Sequence, residues 1–276
     1  MAEISTDGMP LPCSVDGRIG PVAEATVSIT DDGFLRGDGA FEMLKLYGGR
    51  PFGMTDHLDR LDRSAAGIFL EYDRPTFERE IDALIAEHGA RDAALRLVLT
   101  RGGRRIAIIE PLPPFRHGLR LSGVRYQPTI VLNQLKTLSY GGNMRATRLA
   151  QRDGADEALL IEPDGTILEA PTSTLFWVDK EGNLHTPELD TGVLASITRE
   201  RIMRLVPVTE DERCKLTDVL GANEVFLASS LREVQGVSVL DGLEFACPGP
   251  VTSRVSDLLA EHIQAEITGA LSYDGA

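Results

Sequence analysis

The sequence predicts an α+β protein of two domains, each with a mixed β-sheet and flanking helices. Short apolar segments typical of strands are interspersed with longer segments in which apolar residues recur at helical spacing. Hairpin turns at Asp164-Gly165 and Glu181-Gly182 disfavour a doubly wound parallel sheet. The segment Pro111-Leu112-Pro113-Pro114 can continue neither a helix nor a central strand. We therefore expect a domain boundary there, between residues 1–115 and residues 116–276.

The first predicted domain is a small α+β unit. Its first helix is expected to have Thr55 as N-cap, because apolar residues then recur at helical spacing up to Ala65. Its second helix runs from Phe77 to His88 and stops at Gly89, a residue that favours a helix C-terminus. The expected strands of this domain cover residues 25–29, 41–46 and 94–100.

The second predicted domain continues the alternation of strands and helices. Its expected helices cover residues 143–153, a segment that starts at Ser196, and residues 252–267. Its expected strands cover residues 157–161, 166–169, 174–178 and 225–228. The strands and helices alternate along this domain without an internal repeat, which favours a mixed α+β sheet.

The charge balance disfavours nucleic acid as a ligand. The chain has a formal net charge of -14, and a polyanion would be repelled by it. The only basic cluster, Arg101 with Arg104 and Arg105, lies between two strand-like segments. No apolar segment approaches the roughly 20 residues that a membrane span requires, and the first residues do not resemble a signal peptide. We expect neither a nucleic-acid partner nor a membrane partner.

The cysteines indicate a reducing environment. Cys13, Cys214 and Cys247 are far apart and match no metal-ligand spacing. We therefore expect reduced thiols, no metal site and a cytoplasmic location. Both a small-molecule enzyme and an acidic binding or scaffold protein fit this composition, so individual residues have to distinguish them.

Lys136 is the first candidate catalytic residue. It is the only charged residue between Gln127 and Met144, which favours a desolvated side chain. Burial without a carboxylate partner lowers the pKa of a lysine, and the neutral amine can attack a carbonyl group. The alternative is a structural lysine whose ammonium stays in water. Its isolation among uncharged residues favours the enzyme over the scaffold protein.

Two later segments could contact an anionic, aromatic cofactor. Glu169 follows an apolar strand and needs a cationic partner, such as a protonated ring nitrogen. Residues 192–199 form a glycine-containing loop that enters a helix, where free amides and the helix dipole bind phosphate. The alternatives are a surface glutamate in a turn and an ordinary Ser196 N-cap.

Arg60 and the segment 228–231 offer further phosphate donors. Arg60 could make a charge-assisted contact with a phosphate, or it could pair with Asp56 or Glu42 and be structural. The segment 228–231 ends a strand with two serines, which by themselves indicate only a turn.

Together these segments resemble the fold-type IV pyridoxal-5′-phosphate (PLP) enzymes over most of the chain. That family includes D-amino-acid transaminases, (R)-amine transaminases, branched-chain aminotransferases and aminodeoxychorismate lyases. The motifs occur in the family's order, which makes the set more specific than any one of them. They are residues 36–42, 57–61, 100–102, 136–140, 165–176, 192–199 and 226–234.

The resemblance implies roles for individual residues. Lys136 is similar to the Schiff-base lysine that also moves the substrate Cα proton, and Glu169 to the partner of the pyridine nitrogen. Tyr140 resembles a residue that hydrogen-bonds the cofactor's phenolic oxygen. The implied phosphate contacts are Arg60, Ile197, Thr198, Ser229, Ser230 and Leu231. The resemblance further implies PLP as cofactor, a two-domain fold-type IV architecture and a homodimer.

The substrate motifs conflict. Phe41 stands where D-amino-acid transaminases carry a tyrosine, whereas Arg101 resembles their carboxylate-binding arginine and Arg36 is a second candidate. Glu42 favours transaminases, because the lyases tend to have threonine there. The resemblance therefore implies amino transfer from a D-amino acid or (R)-amine to a 2-keto acid. A lyase that releases pyruvate ranks second and a branched-chain L-amino-acid aminotransferase third.

Overall fold

The computed structural model describes residues 10–270 and groups the chain into two compact units. Unit 1 comprises residues up to Pro113, the segment Leu135–Tyr140 and residues from Glu266. Unit 2 comprises Pro114–Gln134 and Gly141–Ala265. Residues 1–9, which the signal-peptide expectation includes, lie outside the described residues.

Unit 1 contains a six-stranded antiparallel sheet. Its strands are β1 (Pro12–Val15), β2 (Arg18–Pro21), β3 (Gly39–Tyr47), β4 (Arg50–Pro51), β5 (Ala93–Thr100) and β6 (Arg105–Glu110). Its helices are α1 (Asp32–Arg36), α2 (Met54–Gly67) and α3 (Arg74–His88). The strand order is β2-β1-β6-β5-β3-β4. β3 and β5 contain the strands predicted over 41–46 and 94–100, which are confirmed.

The core of unit 1 lies on one face of this sheet. Alternate residues of a strand point to opposite faces, and Ala40 and Leu44 of β3 are buried in one apolar cluster with Leu61 of α2 and Phe77 of α3. Full burial of a leucine or phenylalanine side chain stabilises the fold by roughly 1.5–3 kcal/mol. Glu42 lies between Ala40 and Leu44 in the same alternation, so its carboxylate needs polar partners inside this core.

The two helix-end predictions in unit 1 have different outcomes. α3 ends before Gly89, whose φ is 77°, so the predicted stop is confirmed. α2 has Gly53 as N-cap, with φ 63° and no capping side chain, so the predicted Thr55 cap is wrong. The Gly53 amide donates to Glu266 Oε1 at 3.0 Å. A left-handed glycine, which pays no Cβ penalty there, starts α2 instead of a hydroxyl cap.

Unit 2 contains a mixed sheet. Its strands are β7 (Leu119–Arg125), β8 (Glu157–Ile161), β9 (Thr174–Val178), β10 (Leu184–Pro187), β11 (Thr209–Asp211), β12 (Glu224–Ser229), β13 (Glu233–Leu240) and β14 (Leu243–Glu244). Its strand order is β11-β10-β9-β12-β13-β7-β8, with β14 paired to β13. Three neighbouring pairs, β7 with β8, β7 with β13 and β10 with β11, are parallel. The mixed α+β fold class is confirmed.

Three of the four α-helices that begin among the described residues of unit 2 match a prediction. The four are α4 (Gly141–Arg152), α5 (Ile197–Leu205), α6 (Leu216–Leu220) and α7 (Pro250–Ile267). The segments predicted over 143–153, from Ser196 and over 252–267 correspond to α4, α5 and α7, and the short helix α6 was not predicted. Ser196 caps α5 as expected, since its side chain accepts from the Arg199 amide at 3.2 Å.

Two predicted strands are not regular strands. Residues 25–29 have no strand partner, and Val27 and Ile29 are 43% and 78% exposed. The segment 166–169 makes only isolated bridges, one between Ile161 and Ile167 and one between Thr166 and Lys215. Both predictions were wrong because strand propensity reflects packing against neighbours, which local sequence does not provide.

Two kinds of feature are absent from residues 10–270. No helix there is both long and apolar enough to cross a membrane. No group of three or more His, Cys, Asp or Glu side chains there has an arrangement that could hold a metal ion. Cys13, Cys214 and Cys247 are free thiols.

Candidate active site

The main chain of Lys136 is paired on both sides in unit 1. The Phe41 amide donates to the Lys136 carbonyl at 3.0 Å, and the Leu138 amide donates to the Gly39 carbonyl at 2.9 Å. The Lys136 amide donates to Ser64 Oγ of α2 at 3.0 Å. The domain boundary predicted at 115/116 assigns this lysine to the second domain, whereas these bonds to β3 and α2 group it with unit 1.

Two aromatic rings flank the Lys136 amine. Its Nζ lies 4.5 Å from the ring centroid of Phe41 and 5.9 Å from that of Tyr140. The two rings meet edge to face, with centroids 5.3 Å apart. Lys136 is half-buried, and aromatic faces attract a cation. The structure thus brings together three of the residues named from the sequence, Lys136, Phe41 and Tyr140.

A buried charged cluster accompanies Lys136 in unit 1. Glu42 Oε1 accepts from Arg60 Nε at 2.7 Å, and Glu42 Oε2 accepts from Arg60 Nη2 at 2.8 Å. His57 Nδ1 lies 2.7 Å from Glu42 Oε2. The structural pairing of Arg60 with Glu42, an alternative already open from the sequence, is therefore present. Sequence reasoning did not single out His57 or Ser64, although 57, 60 and 64 share one helical face.

The pKa values of this cluster follow from burial and pairing. Burial alone would raise the pKa of Glu42, but the Arg60 guanidinium and the His57 hydrogen bond hold it well below its ordinary value. Burial lowers the pKa of His57, and the positive charges of Arg60 and Lys136 lower it further against the opposing pull of Glu42. At neutral pH the cluster thus contains an ionised Glu42 and a neutral His57.

The two arginines proposed for the substrate carboxylate have intramolecular partners. Arg36 is 67% exposed at its side chain and pairs with Asp32. Arg101 Nε and Nη2 lie 3.1 and 3.2 Å from the Asp38 carboxylate, and its Nη1 donates to the Phe69 carbonyl at 2.6 Å. Arg101 therefore also binds the chain just beyond the end of α2.

An arginine that sequence reasoning did not select lies near Phe41. Arg96 of β5 has its guanidinium carbon 5.7 Å from the Phe41 ring centroid. It donates to the Glu110 carboxylate at 2.6 and 3.1 Å. The register of β3 with β5 could not be read from the sequence, and this register puts Arg96 opposite Met43, next to Phe41 on the same face.

In unit 2 the structure brings Glu169 to the loop before α5. Glu169 is half-buried, and its Oε1 accepts from the Leu194 amide at 3.1 Å. Its carbonyl accepts from the Leu160 amide of β8 at 3.0 Å. Its charge raises the pKa of Tyr126 beyond the effect of burial. The hydrogen bond from Leu194 thereby joins the segment that contains Glu169 to the loop before α5.

The N-terminus of α5 has the features of an anion site. Ile197 and Thr198 occupy its first two positions, where backbone amides have no partner within the helix. Thr198 is 2% exposed, and its Oγ1 has no hydrogen-bond partner among the described residues. A buried, unpartnered hydroxyl is costly. A phosphate at this helix end would satisfy it together with the amides, so the residues fit PLP.

The segment 229–231 begins at the last residue of β12 and continues into a turn. Ser229 is half-buried, and its Oγ accepts from the Arg232 amide at 3.3 Å. Ser230 and Leu231 are half-buried in the turn that leads to β13. The Ser229 hydroxyl therefore takes part in the turn, which is the alternative that the sequence left open. It stays a candidate hydrogen-bond donor to a phosphate.

Comparison with known proteins decides the family. The sequence model described as amino-transferase class IV matches residues 39–240. The chain belongs to this family. Its fold-type IV architecture, its use of PLP and its classification as a class IV aminotransferase, all expected from the resemblance, are thereby confirmed.

Relatives and solved structures of this aminotransferase family match most of the chain. A putative branched-chain-amino-acid aminotransferase from Methanocaldococcus jannaschii is 32% identical, over 83% of this chain and 87% of that protein. A D-alanine aminotransferase from Bacillus licheniformis is 28% identical, over 91% and 96%. A PLP-bound structure of a hypothetical aminotransferase from Mycobacterium tuberculosis has a TM-score of 0.83 at 25% identity, over 92% and 99%.

Proposed function

We propose that this PLP-dependent aminotransferase takes its amino group from a D-amino acid or an (R)-amine and passes it to a 2-keto acid. The observation that carries amino transfer over elimination is Glu42, which stands where lyases tend to have threonine. Its carboxylate accepts hydrogen bonds from Nε and Nη2 of Arg60 and lies within hydrogen-bond distance of His57. The D-amino-acid donor is supported by Arg101 and by the similarity to a D-alanine aminotransferase.

We assign Lys136 as the residue that bonds covalently to PLP and carries the proton to and from the donor's Cα. PLP, when bound, withdraws electrons from Cα and makes that proton removable. Once the incoming donor amine has released it, the amine of Lys136 would act as base and then as acid. The rings of Phe41 and Tyr140 restrict where this amine can lie.

The remaining residues hold the cofactor in this proposal. Glu169 keeps the pyridine nitrogen protonated, because an ionised carboxylate beside a base favours its charged form. The amides of Ile197 and Thr198 and the Thr198 hydroxyl bind the phosphate, as the helix dipole favours an anion there. Tyr140 donates to the phenolic oxygen. Arg60, Ser229, Ser230 and Leu231 complete the phosphate contacts.

A branched-chain L-amino-acid donor, which ranks third from the sequence alone, becomes the second candidate here. It is supported by the similarity to the Methanocaldococcus jannaschii protein, whose identity is 32%. Against it, this chain has neither the Tyr-Gly-Thr-Ser type of entry nor the Gly-Thr-Ala-Ala turn that branched-chain enzymes show. We therefore place it behind the D-amino acid and the (R)-amine.

A visible-absorbance experiment tests the proposed donor. The protein with PLP is mixed separately with D-alanine, (R)-1-phenylethylamine, L-leucine and aminodeoxychorismate. We expect bleaching of the yellow band with D-alanine or the amine, and formation of the matching keto product. Bleaching with L-leucine alone would select the second candidate. Pyruvate from aminodeoxychorismate without an amino acceptor would identify a lyase.

Arg101→Ala sharpens the donor assignment. If Arg101 binds the donor carboxylate, the variant loses about 10-fold or more in kcat/KM for D-alanine, because a charge-assisted contact is lost. It should retain kcat/KM for (R)-1-phenylethylamine, which has no carboxylate. Arg36→Ala, assayed with the same two donors, tests the second candidate arginine in the same way. Equal losses for both donors in Arg101→Ala would assign Arg101 to the α2 and Asp38 contacts alone.

We also propose a cytoplasmic homodimer. The three free thiols support a reducing compartment, and the homodimer follows from the family resemblance. Light scattering of the purified protein should give twice the mass of one chain, and a monomer would refute that part of the proposal.

A further inference from the structure

The cluster of Glu42, His57 and Arg60 contains more charge than packing in unit 1 requires. The side chains of Glu42 and His57 are fully buried and that of Arg60 is 7% exposed. A buried ion pair is on average no more stabilising than apolar residues of the same volume. An apolar core surrounds it on the helix-covered face of β3. The cost of burying these charges therefore calls for a role beyond cohesion.

The geometry of the pair restricts Arg60. Its Nε and Nη2 donate side by side to the two Glu42 oxygens at 2.7 and 2.8 Å. This bidentate contact fixes the plane and direction of the guanidinium and turns its Nη1 away from the carboxylate. Because an ionised carboxylate only accepts hydrogen bonds, His57 Nδ1 must donate to Glu42 Oε2 across their 2.7 Å separation.

The same helix also holds Lys136. His57, Arg60 and Ser64 occupy one buried face of α2, and Ser64 Oγ accepts from the Lys136 amide at 3.0 Å. Glu42 and Phe41 are neighbours on β3, and the Phe41 amide donates to the Lys136 carbonyl. One helix face and one strand thus fix both Arg60 and the main chain of Lys136.

We propose that Glu42, held by His57, is a positioning residue that orients Arg60 toward the cofactor phosphate. This inference rests on the proposed contact between Arg60 and that phosphate. Glu42 itself does not touch the cofactor in this proposal. It therefore affects cofactor affinity only through the phosphate group, whereas a purely structural Glu42 would affect every form of the cofactor.

The test compares two ligands of Glu42→Gln apoprotein, PLP and pyridoxal, which lacks the phosphate. The amide oxygen of glutamine keeps one acceptor but loses the charge and the second acceptor. We expect the Kd for PLP to rise about 10-fold, the size expected for a lost charged hydrogen bond. The Kd for pyridoxal should change by less than about 2-fold. Equal weakening of both ligands, or of neither, would overturn the proposal.

Glu80→Gln is the matched control. Glu80 of α3 also accepts two donors from one arginine, Arg105, at 3.0 and 2.7 Å, and it has no assigned cofactor role. The Kd values of the Glu80→Gln variant for PLP and pyridoxal should equal those of the wild type. If Glu42→Gln does not fold, Glu42→Asp retains the charge but shortens the reach, and the same PLP-selective loss is expected.

Arg60→Gln separates this inference from the function beneath it. A PLP-selective loss in Arg60→Gln without one in Glu42→Gln would refute only the positioning role. No PLP-selective loss in Arg60→Gln would refute the phosphate contact itself. In the double variant, the effect of Glu42→Gln on PLP affinity should disappear, because Glu42 then has no Arg60 to orient.

Discussion

The Glu42–Arg60 pair of unit 1 and the N-terminus of α5 in unit 2 differ in the groups that they offer to a charge. In unit 1, Glu42 and Arg60 neutralise each other inside an apolar core. In unit 2, the N-terminus of α5 offers main-chain amides and the Thr198 hydroxyl, which has no partner among the described residues. A side-chain network is lost with one substitution, whereas main-chain donors survive any substitution that preserves the helix. We therefore expect single substitutions to have larger effects at the charged cluster of unit 1 than at the N-terminus of α5 in unit 2.

Lys136→Ala should give the largest effect. No other residue is assigned to return the donor's Cα proton, so turnover should fall by at least about 1,000-fold. Steady-state transamination assays measure the loss. Lys45→Ala is the control, because Lys45 lies on β3 with its amine 4.4 Å from the Tyr47 ring centroid and has no catalytic assignment. Retained turnover in Lys136→Ala would remove the central assignment of unit 1.

Thr198→Val should act in opposite directions on the apoprotein and the holoenzyme. Valine removes a buried hydroxyl that has no partner, so the apoprotein should gain roughly 1 kcal/mol, a Tm rise of about 2–4 °C. The Kd for PLP should rise about 5-fold because one phosphate donor is lost. Melting curves and PLP titrations measure the two effects.

Ser14→Ala is the matched control for Thr198→Val. Ser14 Oγ is likewise buried and without a hydrogen-bond partner among the described residues, but it belongs to β1 of unit 1. This variant should stabilise the apoprotein and leave the PLP affinity unchanged. If the PLP affinity were unchanged in Thr198→Val as well, the phosphate would contact the main-chain amides but not the Thr198 hydroxyl.

His185→Gln should give the smallest effect. The stabilisation by His185 should depend on pH in the opposite direction to that by His57. His185 Nδ1 and Nε2 lie 2.6 and 3.1 Å from carboxylates of Asp211 and Asp179. Burial lowers the pKa of His185, but these two carboxylates raise it above its ordinary value overall. Its stabilisation is therefore fully present below about pH 6.5 and is lost as the pH rises through the higher folded pKa.

Melting temperatures from pH 5.5 to 8.5 measure this prediction. The Tm of the wild type should exceed that of His185→Gln by roughly 2 °C at low pH. This difference in Tm should shrink as the pH rises. The buried His57 has a lowered pKa, so its contribution instead falls as the pH drops below about 6.5. A wild-type advantage that grows with pH would contradict the pairing of His185.

Local sequence predicted the elements with strong periodicity or clear end signals. Gly89 ends α3 and Ser196 caps α5 as expected. It failed where the deciding partner is distant, as at Gly53, whose amide binds Glu266. The same limit applies to Arg60, which was named from a motif while its bidentate contact with Glu42 depends on how α2 packs on β3.

The sequence by itself determined the family and the cofactor and predicted Lys136 as the amine that binds it, because motif order and the isolation of Lys136 are properties of the chain alone. Only the tertiary structure decided which residues surround that amine. Strand register placed Arg96 near Phe41, and pairing with β3 grouped Lys136 with unit 1. The physical reason is that register and helix packing are set by contacts between residues far apart in the chain, which no local pattern contains.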